Sequence, residues 1–247
     1  RISSTTFQGV CRSLWNWVTL GSQNLIAVGT NLKYYIENGG AYNDITPLRD
    51  TVVLTNPFET TSGSPIVTVT DANDGYVDGD FVTYSGASAV GGLTLNGEYQ
   101  ITLTTTTNEY TIDAGSAASS SATGGGTVTA AYQINVGTAF AIPLTGWGAS
   151  SWSSGTWGVG ETSVESIRLW SQSNFGEDLV FGPRGGAIYY WDATSGLTSR
   201  GVELSTLSGA SDVPTSQNIL EISDINRFVF AFGANELVAP RSILCWC

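Results

Sequence analysis

The chain has 247 residues, of which 41% are hydrophobic and 11% aromatic, with thirty glycines; this is enough to bury a core, and it favours short strands and tight turns. Nine basic residues against twenty-one carboxylates give a formal net charge of -12, and no run of Lys or Arg is present to track a phosphate backbone, which excludes nucleic-acid binding by charge neutralisation. Histidine is absent, so Ser-His-Asp and Cys-His catalysis are excluded within the chain, as is the commonest metal ligand.

Taken in chain order, residues 2–50 read as one strand-rich unit: LWNWV, NLIAV and KYYI, a turn at Glu37 to Ala41, then YNDITPL. Asn38-Gly39-Gly40 predicts a hairpin, because glycine accepts the positive φ such turns require. From about Pro57 the composition shifts to Thr, Ser, Gly and Val. Strict alternation at Ile66 to Thr70, Phe81 to Ser85, Glu98 to Thr104, Glu109 to Asp113 and Thr127 to Ile134 predicts a small β-sandwich or barrel. The organisation expected is therefore 1–58, an inserted β domain at 59–133, and a continuation at 134–247.

Within the insert, Asp71 to Asp80 crowds four aspartates and Asn73 into ten residues. A calcium loop and a solvated β-turn are both open, but Gly75 stands where the helical calcium-loop pattern needs a ligand and no glutamate closes it at Val82. After the insert, Gly146 to Gly160 holds Trp147, Trp152 and Trp157 among glycines and serines. Such a tract is either pinned across another surface by its indoles or presents them as a carbohydrate-stacking strip.

A second unit runs from Ile167 to Ser205 as IRLWS, EDLVFG, AIYYWD and GVELS, and a third begins at Asn218 with ILEIS, RFVFAFG and SILCW. The same phrase thus returns three times: a strand, a turn at Gly29-Thr30-Asn31, Gly182-Pro183-Arg184 or Gly233-Ala234-Asn235, and a strand with aromatic or large apolar residues. The fold class expected is all-β, with propeller-like repeated antiparallel blades and an inserted small β-sandwich domain. Three blades do not close a ring, and the start at Arg1 and stop at Cys247 read as cuts in a longer or processed polypeptide. Cys11, Cys245 and Cys247 form no disulfide framework and read as buried small hydrophobes.

The stretches RISSTTFQGVCRSLWNW, NLIAVGTNLKYYIENGGAYNDITPLRDT and LWSQSNFGEDLVFGPRGGAIYYWDA resemble tailed-bacteriophage virion proteins of the tail hub or nozzle. The stretch SPIVTVTDANDGYVDGDFVTYSGASAVGGLTLNGEYQI is similar to an immunoglobulin-like insert found in phage structural proteins. Asn174 to Asp192 is the most specific part. The resemblance implies a non-enzymatic structural subunit without cofactor or metal, in a ring below the portal, with six copies expected by analogy. It also implies contacts with other tail and neck virion proteins, genomic DNA passing through without sequence-specific binding, and no membrane insertion. An acidic surface suits either a secreted soluble domain or a conduit along which DNA slides without sticking.

The competing function is a glycan-binding, receptor-recognition module of a tail tip or fibre, using Trp147, Trp152 and Trp157. Carboxylates offer little for catalysis: Glu177 and Asp178 are adjacent and point apart on a strand, while Asp44, Glu165, Asp192 and Glu203 are scattered at strand ends. The candidate interface residues are Trp147, Trp152, Trp157, Glu177 and Arg184, the last two expected to pair across one hairpin.

Overall fold

The computed structural model describes residues 6–72, 75–135, 169–223, 225–234 and 241–246. The chain is all-β and divides into two units, residues 48–135 and the remainder. No helix among the described residues is long and apolar enough to cross a membrane.

The larger unit holds three antiparallel sheets. The first is β1 (Cys11–Val18), β2 (Asn24–Thr30), β3 (Tyr34–Asn38) and β4 (Ala41–Asp44), paired in chain order. Its β3–β4 turn is the hairpin expected at Asn38-Gly39-Gly40: Asn38 faces Ala41, and Gly39 and Gly40 take φ of 63° and 99°, the left-handed region that a two-residue turn demands. Cys11 is exposed rather than buried, standing where the β1–β2 register slips.

The second sheet is β13 (Trp170–Phe175), β14 (Asp178–Pro183), β15 (Tyr189–Trp191) and the two-residue β16 (Val202–Glu203); the third is β17 (Ile219–Ile222), β18 (Val229–Ala234) and β19 (Arg241–Trp246). Of the strand expected in IRLWS, Ile167 and Arg168 lie outside the described residues; β13 is described from Trp170 and runs on past that stretch through polar Ser171 to Asn174. These serines are held by the third sheet: Ser171 Oγ accepts from Leu220 N at 2.7 Å and donates to Leu220 O, while Ser173 Oγ donates to Glu221 Oε1.

The three sheets stack, with the second as the middle layer. Along β14 successive side chains point to opposite faces, so Phe181 stacks on Tyr34 of the first sheet with ring centroids 4.4 Å apart. Val180 turns the other way, into a core with Leu220, Ile222, Val229 and Ala231 of the third. This is why Leu-Val-Phe reads as an unbroken apolar run: both faces are covered. The described residues provide three such sheets and close no ring of blades.

The smaller unit is one eight-stranded sheet that folds over on itself and nearly closes like a barrel. Its strands are β5 (Leu48–Thr55), β6 (Phe58–Thr60), β7 (Ile66–Thr70), β8 (Phe81–Ser85), β9 (Gly97–Thr106), β10 (Glu109–Asp113), β11 (Ala122–Gly124) and β12 (Thr127–Gln133), in the order β11-β6-β7-β10-β9-β8-β12-β5. Ten-residue β9 joins the two halves, and register shifts against β10 let it bend. The alternation read from sequence delivers Val67, Val69, Tyr110, Ile112, Val128, Ala130 and Tyr132 to the core.

The insert begins at Leu48, not at residue 59. The reason is pairing: β5 runs antiparallel to β12 from Leu48 to Thr55, and Val52 and Leu54 lean on the insert core.

Candidate functional site

The returning glycine phrase builds a joint between sheets. At Gly29 a Cβ would lie 2.5 Å from Trp170 Cδ1, so only glycine lets that indole seat against the first sheet. The indole then donates from Nε1 to the carbonyl of the next residue, Thr30, at 2.6 Å. At Gly182 the arrangement is repeated one sheet on. A Cβ there would lie 2.8 Å from Gln217 Nε2, and this amide donates to the carbonyl of the next residue, Pro183, at 3.0 Å. In both joints a glycine clears the floor, and the carbonyl following it receives an N–H from the residue that leads into the next sheet. The third copy departs from the pattern, since Gly233 takes φ of 65°.

Glu177 and Arg184 do not pair. They flank the two ends of six-residue β14, about 20 Å apart along an extended strand. Glu177 instead ties the second sheet to the first: its carbonyl accepts from Trp17 Nε1 at 2.9 Å and its carboxylate from Leu20 N. Arg184 is exposed, with its backbone N–H donated to Leu169 O at 2.8 Å. Trp147, Trp152 and Trp157 lie outside the described residues, as does Glu165.

Two buried polar clusters were not singled out from sequence. The chain's one lysine, Lys33, is 2% exposed and donates to Asp44 Oδ2 at 2.8 Å, and Arg200 Nη2 stands 3.4 Å from the same oxygen. Arg200 also donates to Thr46 O at 2.7 Å. Burial alone would raise the Asp44 pKa, but the two cations and the hydrogen bonds from Lys33 and Thr46 outweigh it and hold the carboxyl below its ordinary value. The cluster pins the end of β4 to the loop before β16.

In the insert, Tyr84, Tyr110 and Tyr132 join hydroxyl to hydroxyl at 2.5 and 2.7 Å, and Tyr132 donates to Asp71 Oδ2. The chain spans β8, β10 and β12, so it crosses the core from one half of the sheet to the other. Burial raises the pKa of all three phenols. Asp80 is spoken for as well, accepting from Val77 N at 3.1 Å and lying 3.5 Å from Arg49. Thus the two buried aspartates of the Asp71 to Asp80 turn serve the fold. Asn73 and Asp74 lie outside the described residues, and among those described no three His, Cys, Asp or Glu gather closely enough to hold a metal ion.

A half-open cavity of about 300 Å³ lies against the second and third sheets, walled by Phe175, Val180, Tyr190, Leu204 and Val229. Arg227 sits at its rim, 5.7 Å above the Phe175 ring. The walls are apolar, and Tyr190 OH is engaged by Asp178. No carboxylate is among the described residues that line it.

No protein-family model matches the chain, and no curated protein matches it. Among solved structures, phage phi92 endosialidase is similar over 90% of this chain and 33% of that one, with a TM-score of 0.31 and 15% identity. This chain therefore spans about a third of that protein's length. At such a score the likeness carries no argument.

Proposed function

We propose that the chain is a non-enzymatic structural subunit of a tailed-phage virion, of the tail hub or nozzle kind, whose three stacked sheets act as propeller-like blades. The observation that carries this reading is the repeated joint, Gly29 with Trp170 and Gly182 with Gln217. It repeats one geometry to fix one sheet against the next, which is what a load-carrying scaffold requires. The resemblance in Asn174 to Asp192 supports it from the sequence side. The formal charge of -12 suits a wall past which DNA slides, since like charge keeps the duplex off the surface.

The test is composition and place in the particle. Purified virions carrying this chain are weighed by quantitative mass spectrometry and imaged, with a tag on the chain to locate it. Several copies at the junction of capsid and tail are expected. A location at the distal tip, with tryptophan fluorescence that shifts on adding sugars, would overturn the hub reading in favour of glycan recognition.

A further inference from the structure

The crevice between the second and third sheets has a chemistry of its own. It encloses about 300 Å³, and at the roughly 30 Å³ that one water-sized group takes up this is room for about ten non-hydrogen atoms. Its walls are two aromatic rings, Phe175 and Tyr190, and the aliphatic Val180, Leu204 and Val229. The three aliphatic side chains are buried in the core that the two sheets share, so that part of the hollow is held by packing. A further wall comes from the loop after Leu204, where Leu207 N donates to Leu204 O at 3.2 Å and Ala210 N to Leu207 O at 3.0 Å.

Among the residues lining it one is charged, Arg227. Its guanidinium stands 5.7 Å over the Phe175 ring, and a guanidinium held over an aromatic face keeps its planar fork of N–H donors for an oxyanion. The carboxylates of the adjoining strand are committed elsewhere: Asp178 accepts from Tyr190 OH and from Ala193 N at 2.9 Å, and Glu177 accepts from Leu20 N. Among the described residues Arg227 is in no salt bridge. The arginine is also held at a φ of 57°, a left-handed conformation that glycine or asparagine adopts more readily. Its backbone N–H, donated to Ser223 O at 2.9 Å, fixes it there. An uncompensated cation therefore borders an apolar hollow, in a chain with twenty-one carboxylates and nine basic residues.

We propose that this crevice binds a small amphipathic carboxylate, its apolar body against Phe175, Tyr190, Val180 and Leu204 and its carboxylate in paired hydrogen bonds with Arg227. Complementarity sets the class. The apolar walls disfavour a bare inorganic anion, which would leave its water for nothing, while the guanidinium selects a carboxylate over an ammonium group on the same stem. A straight alkyl body and an aryl body both suit the volume, so the chemistry they share is a carboxylate on an apolar stem. This site is independent of the virion reading, and neither stands or falls with the other.

The test titrates the full chain with octanoate, phenylpropanoate, octanol and octylammonium, by calorimetry and by methyl-labelled NMR. At least one of the two carboxylates should bind once per chain, about tenfold or more tighter than octylammonium, and move the methyl resonances of Val180, Leu204 and Val229. Which of the two binds tighter tells an alkyl from an aryl ligand. Arg227→Gln, at an exposed position and with circular dichroism confirming the fold, should weaken the carboxylate by about tenfold or more, the worth of a charged hydrogen bond, and leave octanol unchanged. Failure of both carboxylates to bind, equal binding of octylammonium, an Arg227→Gln variant that binds like the unaltered chain, or shifts confined to methyls outside the crevice would each overturn the proposal.

Discussion

Two glycines illustrate how much a single hydrogen can decide. A Cβ at Gly182 would stand 2.4 Å from Ala187 O, a backbone atom, whereas one at Gly39 meets nothing within 4 Å and suffers only from its φ of +63°. Gly182→Ala should cost about 1–3 kcal/mol through overpacking, and Gly39→Ala about 1 kcal/mol through left-handed strain. Thermal melts should therefore rank Gly182→Ala as the less stable of the two, and the opposite ranking would refute the joint's role. Acid and alkali probe other residues. The Asp44 carboxyl is held below its ordinary 3.8, so its contribution is present above that value and is lost as pH falls through the depressed folded pKa. The phenols of Tyr84, Tyr110 and Tyr132 are raised above their ordinary 10.0, so theirs is full below 10.0 and is lost as pH climbs, the unfolded chain ionising first. Melting temperature against pH should fall at both ends, and tyrosinate absorbance from these phenols should appear only as the fold opens.

Strands were readable where one face is buried and the other is wet. Alternation in Ile66 to Thr70, Glu109 to Asp113 and Thr127 to Ile134 places Val67, Val69, Tyr110, Ile112, Val128, Ala130 and Tyr132 in the core, because a period of two is the geometry of the strand itself. β5 was missed as part of the insert since its partner, β12, lies more than seventy residues on, at Thr127 for Thr55, and pairing across such a gap leaves no local mark. β13 runs further than IRLWS shows for a related reason: its serines satisfy the third sheet, not the second's own core. The boundary can be checked directly. A fragment of residues 48–135 should melt cooperatively, while 59–133 lacks β5, uncovers β12 and loses the half-buried Val52 and Leu54, a deficit of about 2–4 kcal/mol. Equal stability of the two fragments would count against assigning β5 to the insert.

At the scale of the whole molecule, the repeat was visible in sequence as a phrase, but not its purpose. Nothing near Gly29 announces Trp170, and nothing near Gly182 announces Gln217, because each glycine is shaped by a residue from the following sheet. The candidate residues fared unevenly for the same reason: Glu177 touches Leu20 and not Arg184. Composition, in contrast, spoke for the whole chain, since the lack of histidine and of basic runs depends on no contact at all.

The bond from Trp170 to Thr30 closes over 140 residues, and those residues emerge in order from the ribosome. At a synthesis rate of about 5–20 residues per second the first sheet waits on the order of ten to thirty seconds for its indole. During that interval Tyr34 and Ile36 have no second sheet to cover them, and the insert, which ends at Asn135, is completed before the indole arrives. The pause makes the nascent first sheet the stage of this protein's life at which a chaperone has most to hold.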